Sequence, residues 1–393
     1  MKSKFTTIIM FFIIIAIIIS IGLLSVIVLK DMFGIDIFNN QSTEKVGQFN
    51  DNEFWDGEDD NLNYNDNEYE TSNDAFKQLE IHKTPISSSN GSYTGDYDNS
   101  NINYDNIVVN KYFYKQLNSY SQTIYRAMES NKEQMKSGTY KVQLGSTFSD
   151  VLSGENGQEK LGNYYQSAIE AYIYDNPDVF YLNPSKMYLN IETIRKANSV
   201  TYNVYISNGN SSNYLIDEFN SKEKVQEALN EIESVRNNIV SRKTGNTYQD
   251  IKMVHDFLID NIEYDSTLSS ENIYNIYGAL INNKCVCEGY AKAFKYLLDG
   301  MGIECNLVIG KATNSKGLSE NHAWNYVKID NSYYAVDVTW DDPIVIGGYA
   351  TQSMKNKYFL KGRKQINSDH FPSGQFTEDG QIFEYPELSN DAY

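Results

Sequence analysis

Three short segments carry residue types that together can do acyl chemistry. Cys287 opens the run Cys287-Glu288-Gly289-Tyr290-Ala291-Lys292-Ala293-Phe294, His322 opens His322-Ala323-Trp324-Asn325, and Asp337 opens Asp337-Val338-Thr339-Trp340. A thiol is a strong nucleophile only as thiolate, so it needs a base beside it. That imidazole in turn needs a carboxylate to fix its tautomer and to stabilise its charged form. The order Cys, His, Asp supplies all three.

The elements that must position these side chains can be read from the spacing of their neighbours. After Cys287, the residues Tyr290, Phe294, Leu297, Leu298 and Met301 recur at helical intervals, which puts the thiol at the first turn of an amphipathic helix ended by Gly300 and Gly302. A helix N-terminus and an adjacent imidazolium both favour a thiolate, so the sequence predicts an activated cysteine. Ala323, Asn325, Val327 and Ile329 alternate with His322, Trp324, Tyr326 and Lys328 as the two faces of a strand. Asp330-Asn331-Ser332 reads as a turn, and Tyr333 to Trp340 as an antiparallel return. Simple pairing about that turn sets Asp337 near Asn325 to Val327, within a few residues of His322, with the register left open.

These blocks, with Tyr334-Ala335-Val336-Asp337-Val338-Thr339-Trp340-Asp341-Asp342-Pro343 as the third, resemble the core of the transglutaminase-like superfamily. The resemblance covers roughly Thr247 to Pro343, about a quarter of the chain, with its blocks in the right order. It implies an α+β, papain-like catalytic domain. Cys287 is then the nucleophile, His322 the general base and acid, and Asp337 the residue that orients the histidine, with no cofactor. Within that superfamily the chain is similar to bacterial extracytoplasmic members, many of which are thought to be proteases or peptide-modifying enzymes rather than calcium-dependent cross-linkers. It departs from them in one place: where such proteins often carry glycine two residues before the nucleophile, this chain has Cys285. The Glu-Gly-Tyr-Ala run assigns the nucleophile to Cys287.

Taken singly, each of these residues has a plainer reading. A free cysteine is most often a small buried hydrophobe, His322 fits a strand histidine, and Asp337 fits a turn. Yet the chain has only four histidines and three cysteines, and one of each falls in the matched blocks, which favours catalysis. A zinc site built on Cys285, Cys287 and Cys305 is disfavoured because one residue separates the first two thiols, against the usual two to four, so no metal is expected. A Cys285–Cys305 disulfide stays open. Trp324 and Trp340 flank the site as core packing or as lining of a substrate cleft. The Cys287 amide is the natural first oxyanion donor. The second is sought in Tyr274 to Asn283, where Tyr277 is chosen against the alternative that it packs on the helix. His255 shares a helical face with Ile251, Val254, Leu258 and Ile262 and reads as structural. His370, in Ser368-Asp369-His370-Phe371, reads as a hydrogen-bonding loop residue rather than a second base.

The rest of the chain says where this chemistry takes place. Residues Phe5 to Leu29 are nearly all apolar and uncharged. From Ile8 onward they are long enough, at about 33 Å, to cross a hydrocarbon core. No small-residue exit site follows, and Lys2 and Lys4 precede the segment, so residues 1–30 read as a single-pass signal anchor with everything after it extracytoplasmic. Residues 31–105 carry 17 acidic and 3 basic residues and supply −14 of the formal charge of −19. They read as a disordered acidic tether, since they bury too little apolar surface to offset ordering. Residues 106–242 read as a small α+β domain without a recognisable motif. It has helices through Val109 to Met128 and Tyr164 to Tyr174, strands at Lys186 to Ile191 and Ser199 to Ile206, and a capping box at Asn220 and Glu223. Residues 243–393 form the catalytic domain, completed by edge strands at Tyr358 to Leu360 and Gln381 to Phe383. No basic patch invites nucleic acid, and three cysteines make no disulfide framework.

These features together predict a membrane-anchored cysteine enzyme acting on amide bonds of envelope proteins or peptides through a thioester, with hydrolysis ahead of transfer to an amine. A catalytically silent envelope-binding module is the reading from another class.

Overall fold

An asparagine starts the first long helix. Asn118 Oδ1 accepts from the Ser121 amide at 3.0 Å, and Ile124, Tyr125 and Met128 bury one face of α1 (Ser119–Ser130). The sequence pattern extends this helix back to Val109, but only a single 3-10 turn, Tyr114–Gln116, precedes the cap. The chain is described by a computed structural model over residues 86–91, 102–196, 199–267, 270–343, 350–377 and 380–393. The predicted membrane span lies outside the described residues. Among the described residues no helix is long and apolar enough to cross a membrane.

Helix α2 (Gly157–Asp175) packs beside α1 and carries a mostly buried run from Tyr165 to Asp175. The predicted strands form a four-stranded sheet in which β1 (Ile86–Gly91) pairs parallel to β3 (Tyr188–Lys196). Strand β4 (Ser199–Ser207) lies between β3 and β2 (Val142–Gly145). Strand β1 falls inside the predicted acidic tether. A ladder of backbone hydrogen bonds needs no apolar content, which explains why composition does not signal it. Helix α3 (Lys222–Val240) is capped by Ser221, whose hydroxyl accepts from Lys224 at 3.3 Å, one residue later than the predicted Asn220.

Five elements then build the nucleophile side of the site: α4 (Thr247–Asn261), the two-residue parallel pair of β5 (Glu263–Tyr264) with β6 (Lys284–Cys285), the short α5 (Ile276–Leu280), and α6 (Cys287–Gly300). Helix α6 packs on a second sheet of β7 (Cys305–Thr313), β8 (Ser319–Ile329), β9 (Ser332–Val336) and β10 (His370–Pro372), in the order β10-β7-β8-β9. All pairs in this sheet are antiparallel. The two faces of β8 split as the alternation predicts. Ala323, Val327 and Ile329 join the main core, while Trp324 and Tyr326 join a smaller cluster with Val308, Tyr358 and Ile366. The main core is continuous across residue 242 and contains Tyr165 and Ile232 as well as Phe294 and Leu297.

The C-terminal segment differs from expectation. Tyr358 to Leu360 is a turn, Ile382 makes only an isolated bridge to Gln375, and the edge strand is His370–Pro372. A proline in that strand suits an edge, where one missing donor costs no ladder bond.

Candidate active site

Helix α6 is buried from Cys287 through Leu298 without a break. It begins at the nucleophile because Val286 is extended (φ −100, ψ −179) and gives its N–H to Ile273 O at 3.0 Å. Side-chain bonds fasten the first half of the helix. Asn325 Nδ2 donates to Ala291 O at 3.0 Å, and the Tyr290 hydroxyl donates to Asp342 Oδ2 at 2.6 Å. Glu288 and Lys292 pair one turn apart at 2.5 Å, both buried, so the acidic residue beside the thiol is compensated locally.

The run Cys285-Val286-Cys287-Glu288-Gly289 has a steric explanation. A Cβ on Gly289 would sit 2.4 Å from Cys285 Cβ and 2.7 Å from Ile273 O, so only glycine lets Cys285 lie beneath the helix start. Burial, reinforced by the neighbouring Cys287, pushes the Cys285 thiol well up, and burial does the same to Cys305. Both are thereby held as thiols. All three cysteines are free, so the Cys285–Cys305 disulfide left open by the sequence does not form.

The three sequence-predicted triad residues come together. His322 Nε2 lies 2.7 Å from Asp337 Oδ2, and the ring also hydrogen-bonds the Cys287 side chain. With Nε2 committed to the carboxylate, Nδ1 serves the thiol. Exposure is 1% for Cys287, 2% for His322 and 0% for Asp337, so water competes little for any of these bonds. Burial opposes charge on His322, but the Asp337 carboxylate and the adjacent Cys287 outweigh it and raise the imidazole to about 9. Burial likewise opposes charge on Asp337. The charge of His322 and hydrogen bonds from His322 and His370 outweigh it and hold the carboxyl well below its usual range.

Register explains how Asp337 reaches its partner. In the hairpin Ile329 faces Ser332 and Asn325 faces Val336, after which the strand stops, shorter than the predicted return to Trp340. It stops because Asp337 turns its side chain on its own backbone: Oδ1 accepts from the amides of Thr339 at 3.0 Å and Trp340 at 3.2 Å. That leaves Oδ2 for imidazole.

Other candidates fall elsewhere. Tyr277 is not brought to the thiol: its hydroxyl donates to Glu231 Oε2 at 3.0 Å, and its ring lies 6.0 Å from Phe180 and 5.0 Å from Phe219. Tyr264 does stand at the site. It is buried, its Cα pairs with Cys285, and burial first, then the nearby Cys287 and Glu320, raise its phenol, which keeps it an O–H donor. Trp324 is fully packed, with its ring 6.0 Å from His322, whereas the partly exposed Trp340 covers His322 at 5.2 Å. His255 is buried between Asp256 and Asp341, at 2.9 and 3.0 Å, and ties α4 to the turn after Asp337.

Sequence reasoning placed His370 in a loop apart from the chemistry. It lies in edge strand β10, buried, with Nε2 at 2.9 Å from the same Asp337 oxygen that His322 uses. Among the described residues, His322, Asp337 and His370 are the one group able to converge on a metal ion, and the three thiols form none. The polar atoms of His322 and His370 stand 2.7 and 2.9 Å from Asp337. Two ligands of a tetrahedral ion with bonds of about 2.0–2.1 Å lie roughly 3.3 Å apart. Hydrogen bonds therefore describe this cluster.

The transglutaminase-like superfamily model matches residues 233–338, the stretch that holds Cys287, His322 and Asp337. Over these residues the chain carries a transglutaminase-like domain. Human and mouse kyphoscoliosis peptidase are each 27% identical to it, over 137 and 159 residues, or 32% and 37% of this chain. The chain spans only 21% and 24% of the length of these relatives. A crystal structure of a TGase aligns with a TM-score of 0.27 and 15% identity, covering 44% of this chain and 50% of that one.

Proposed function

We propose that this protein is a cysteine enzyme that cleaves amide bonds in peptides or proteins through a thioester on Cys287. The observation that carries the reading is the His322 ring, which bonds the Cys287 side chain on one side and Asp337 Oδ2, at 2.7 Å, on the other. In the forward step the Cys287 thiolate attacks the carbonyl carbon. The oxyanion takes the Cys287 amide and the Tyr264 hydroxyl as donors, and His322 passes its proton to the departing amine. His322, now neutral, then removes a proton from water, and hydrolysis of the thioester restores the thiol. Both curated relatives are named peptidases, which supports water over an amine as the second acceptor.

The uncharged run from Phe5 to Leu29 supports a membrane anchor, and the lysines before it support an extracytoplasmic catalytic domain, with envelope proteins as the substrates in reach. The test is mass spectrometry of envelope proteins incubated with the protein in ¹⁸O-water together with a tagged primary amine. New C-termini carrying ¹⁸O are expected. Tag incorporation in place of ¹⁸O would make the protein a transamidase, and neither product, with Cys287 inert to thiol probes, would leave it a silent binding module.

A further inference from the structure

His370 faces a carboxylate at each ring nitrogen. Nε2 lies 2.9 Å from Asp337 Oδ2, and Nδ1 lies 2.7 Å from Asp369 Oδ1. An ionised carboxylate only accepts, and a neutral imidazole has a single N–H, so making both bonds requires a second proton on the ring. Asp337 does not supply that proton. Its oxygens already take His322 Nε2 and the Thr339 and Trp340 amides, a set of donors that keeps it ionised. Asp369 accepts the Tyr358 hydroxyl on Oδ2 at 2.9 Å and is partly open to water. The ring itself is walled in by Trp340 at 4.7 Å, Trp324 at 5.0 Å and Tyr358 at 5.2 Å.

We propose that His370 is a buried imidazolium clamped on the triad carboxylate, a positioning residue that holds Asp337 and limits how tightly His322 keeps its proton. This inference rests on the triad reading above. Charge then alternates along His370, Asp337 and His322. The ring centres of His370 and His322 are 5.6 Å apart, so the charge on one opposes the charge on the other. A base that also has to surrender its proton to a leaving amine gains from that opposition. Asp337 alone would raise the imidazole further and hold the proton longer. Further out, Asp341 lies beside Asp337, and the Lys357 ammonium lies over the Tyr358 ring at 5.3 Å. The family match ends at residue 338, so this second histidine is a feature of the chain beyond it.

The test uses the full chain and iodoacetate, an anion drawn to Cys287 by the His322 imidazolium, with the alkylated Cys287 peptide counted by mass spectrometry across pH. The alkaline limb of that reaction reports loss of the His322 proton and is expected near 9 in the unaltered protein. Removing a unit charge at this separation, in a medium of effective dielectric about 20, should move the limb up by about two pH units in both His370→Gln and His370→Phe. Near neutral pH, Gln, which keeps an N–H for Asp337, should alkylate within about 3-fold of the unaltered protein, and Phe at least about 10-fold more slowly. A limb that stays put in both folded variants overturns the proposal. An unaltered protein without any alkaline limb would sink the triad reading itself, and this inference with it. Should neither variant fold, ¹⁵N spectra of the unaltered chain decide. Both nitrogens of the histidine in contact with the Tyr358 ring should be protonated at pH 7.5, and a ring with one proton there overturns the assignment.

Discussion

At the scale of single residues, two thiols one residue apart behave oppositely because they are placed oppositely. Cys285 lies in a strand under Gly289, its thiol pushed up by burial, whereas Cys287 starts a helix beside an imidazole that keeps its proton to about 9. Cys287→Ala should therefore abolish turnover and probe labelling, while Cys285→Ser keeps most of both. Equal loss in two folded variants would mean that the pair acts together. Tyr264→Phe removes one oxyanion donor and should lower kcat by about 10²-fold with little change in KM; an unaltered kcat would take Tyr264 out of the mechanism. The triad also makes stability depend on pH. His322 is raised above its ordinary 6.5, so its contribution is complete below that value and is lost as pH rises through about 9. Asp337 is lowered from 3.8, so its contribution is present above that value and is lost as pH falls through its depressed one. The urea midpoint of the unaltered protein should thus exceed that of His322→Asn most between about pH 4 and 6.5, and the gap should close toward pH 10. A constant gap would show that the ion pair adds nothing to stability.

At the scale of elements, what could be read in the sequence is what is local. Helix α6 is marked by Tyr290, Phe294, Leu297 and Leu298, and the β8–β9 hairpin by strict alternation around Asp330 to Ser332, so the sequence places Cys287 and His322 on their elements, while Asp337, expected within the returning strand, lies just past its end. His370 and Tyr264 are not placed in this way. Each reaches the site through pairing of distant segments, His370 with Ala312 and Tyr264 with Cys285, and nothing in their flanking residues records those partners. Tyr277 precedes the nucleophile in sequence, but α5 directs it to Glu231 instead. The packing of α6 on β6 gives the element its own test. Gly289→Ala should cost about 1–3 kcal/mol in chemical denaturation, because the added methyl meets both Cys285 and the Ile273 carbonyl. Cys285→Gly in the same chain should recover part of that loss but not all, since the carbonyl remains. Full additivity of the two changes would show that the methyl is accommodated by a shift of the helix as a whole.

At the scale of the whole molecule, the N-terminal charge pattern and the point where the folded body starts make a joint prediction. Lys2 and Lys4 ahead of an uncharged apolar run, with an acidic stretch behind it, are the ground for the proposal that the catalytic domain lies outside the cell. Composition alone places the start of the folded body near Asn106, yet the body is already engaged earlier. The Tyr104 hydroxyl donates to Gln143 O at 2.7 Å, Arg126 pairs with Asp105 at 2.8 Å, and Ile86–Gly91 adds a strand alongside β3. Protease added to intact cells should therefore cut within the acidic stretch and release a soluble fragment whose N-terminus lies before Ile102, still reactive at Cys287. Release only after lysis would invert the orientation. A fragment trimmed past Asp105 would show that these contacts do not protect the chain, and a resistant acidic stretch with a digested catalytic region would overturn the tether altogether.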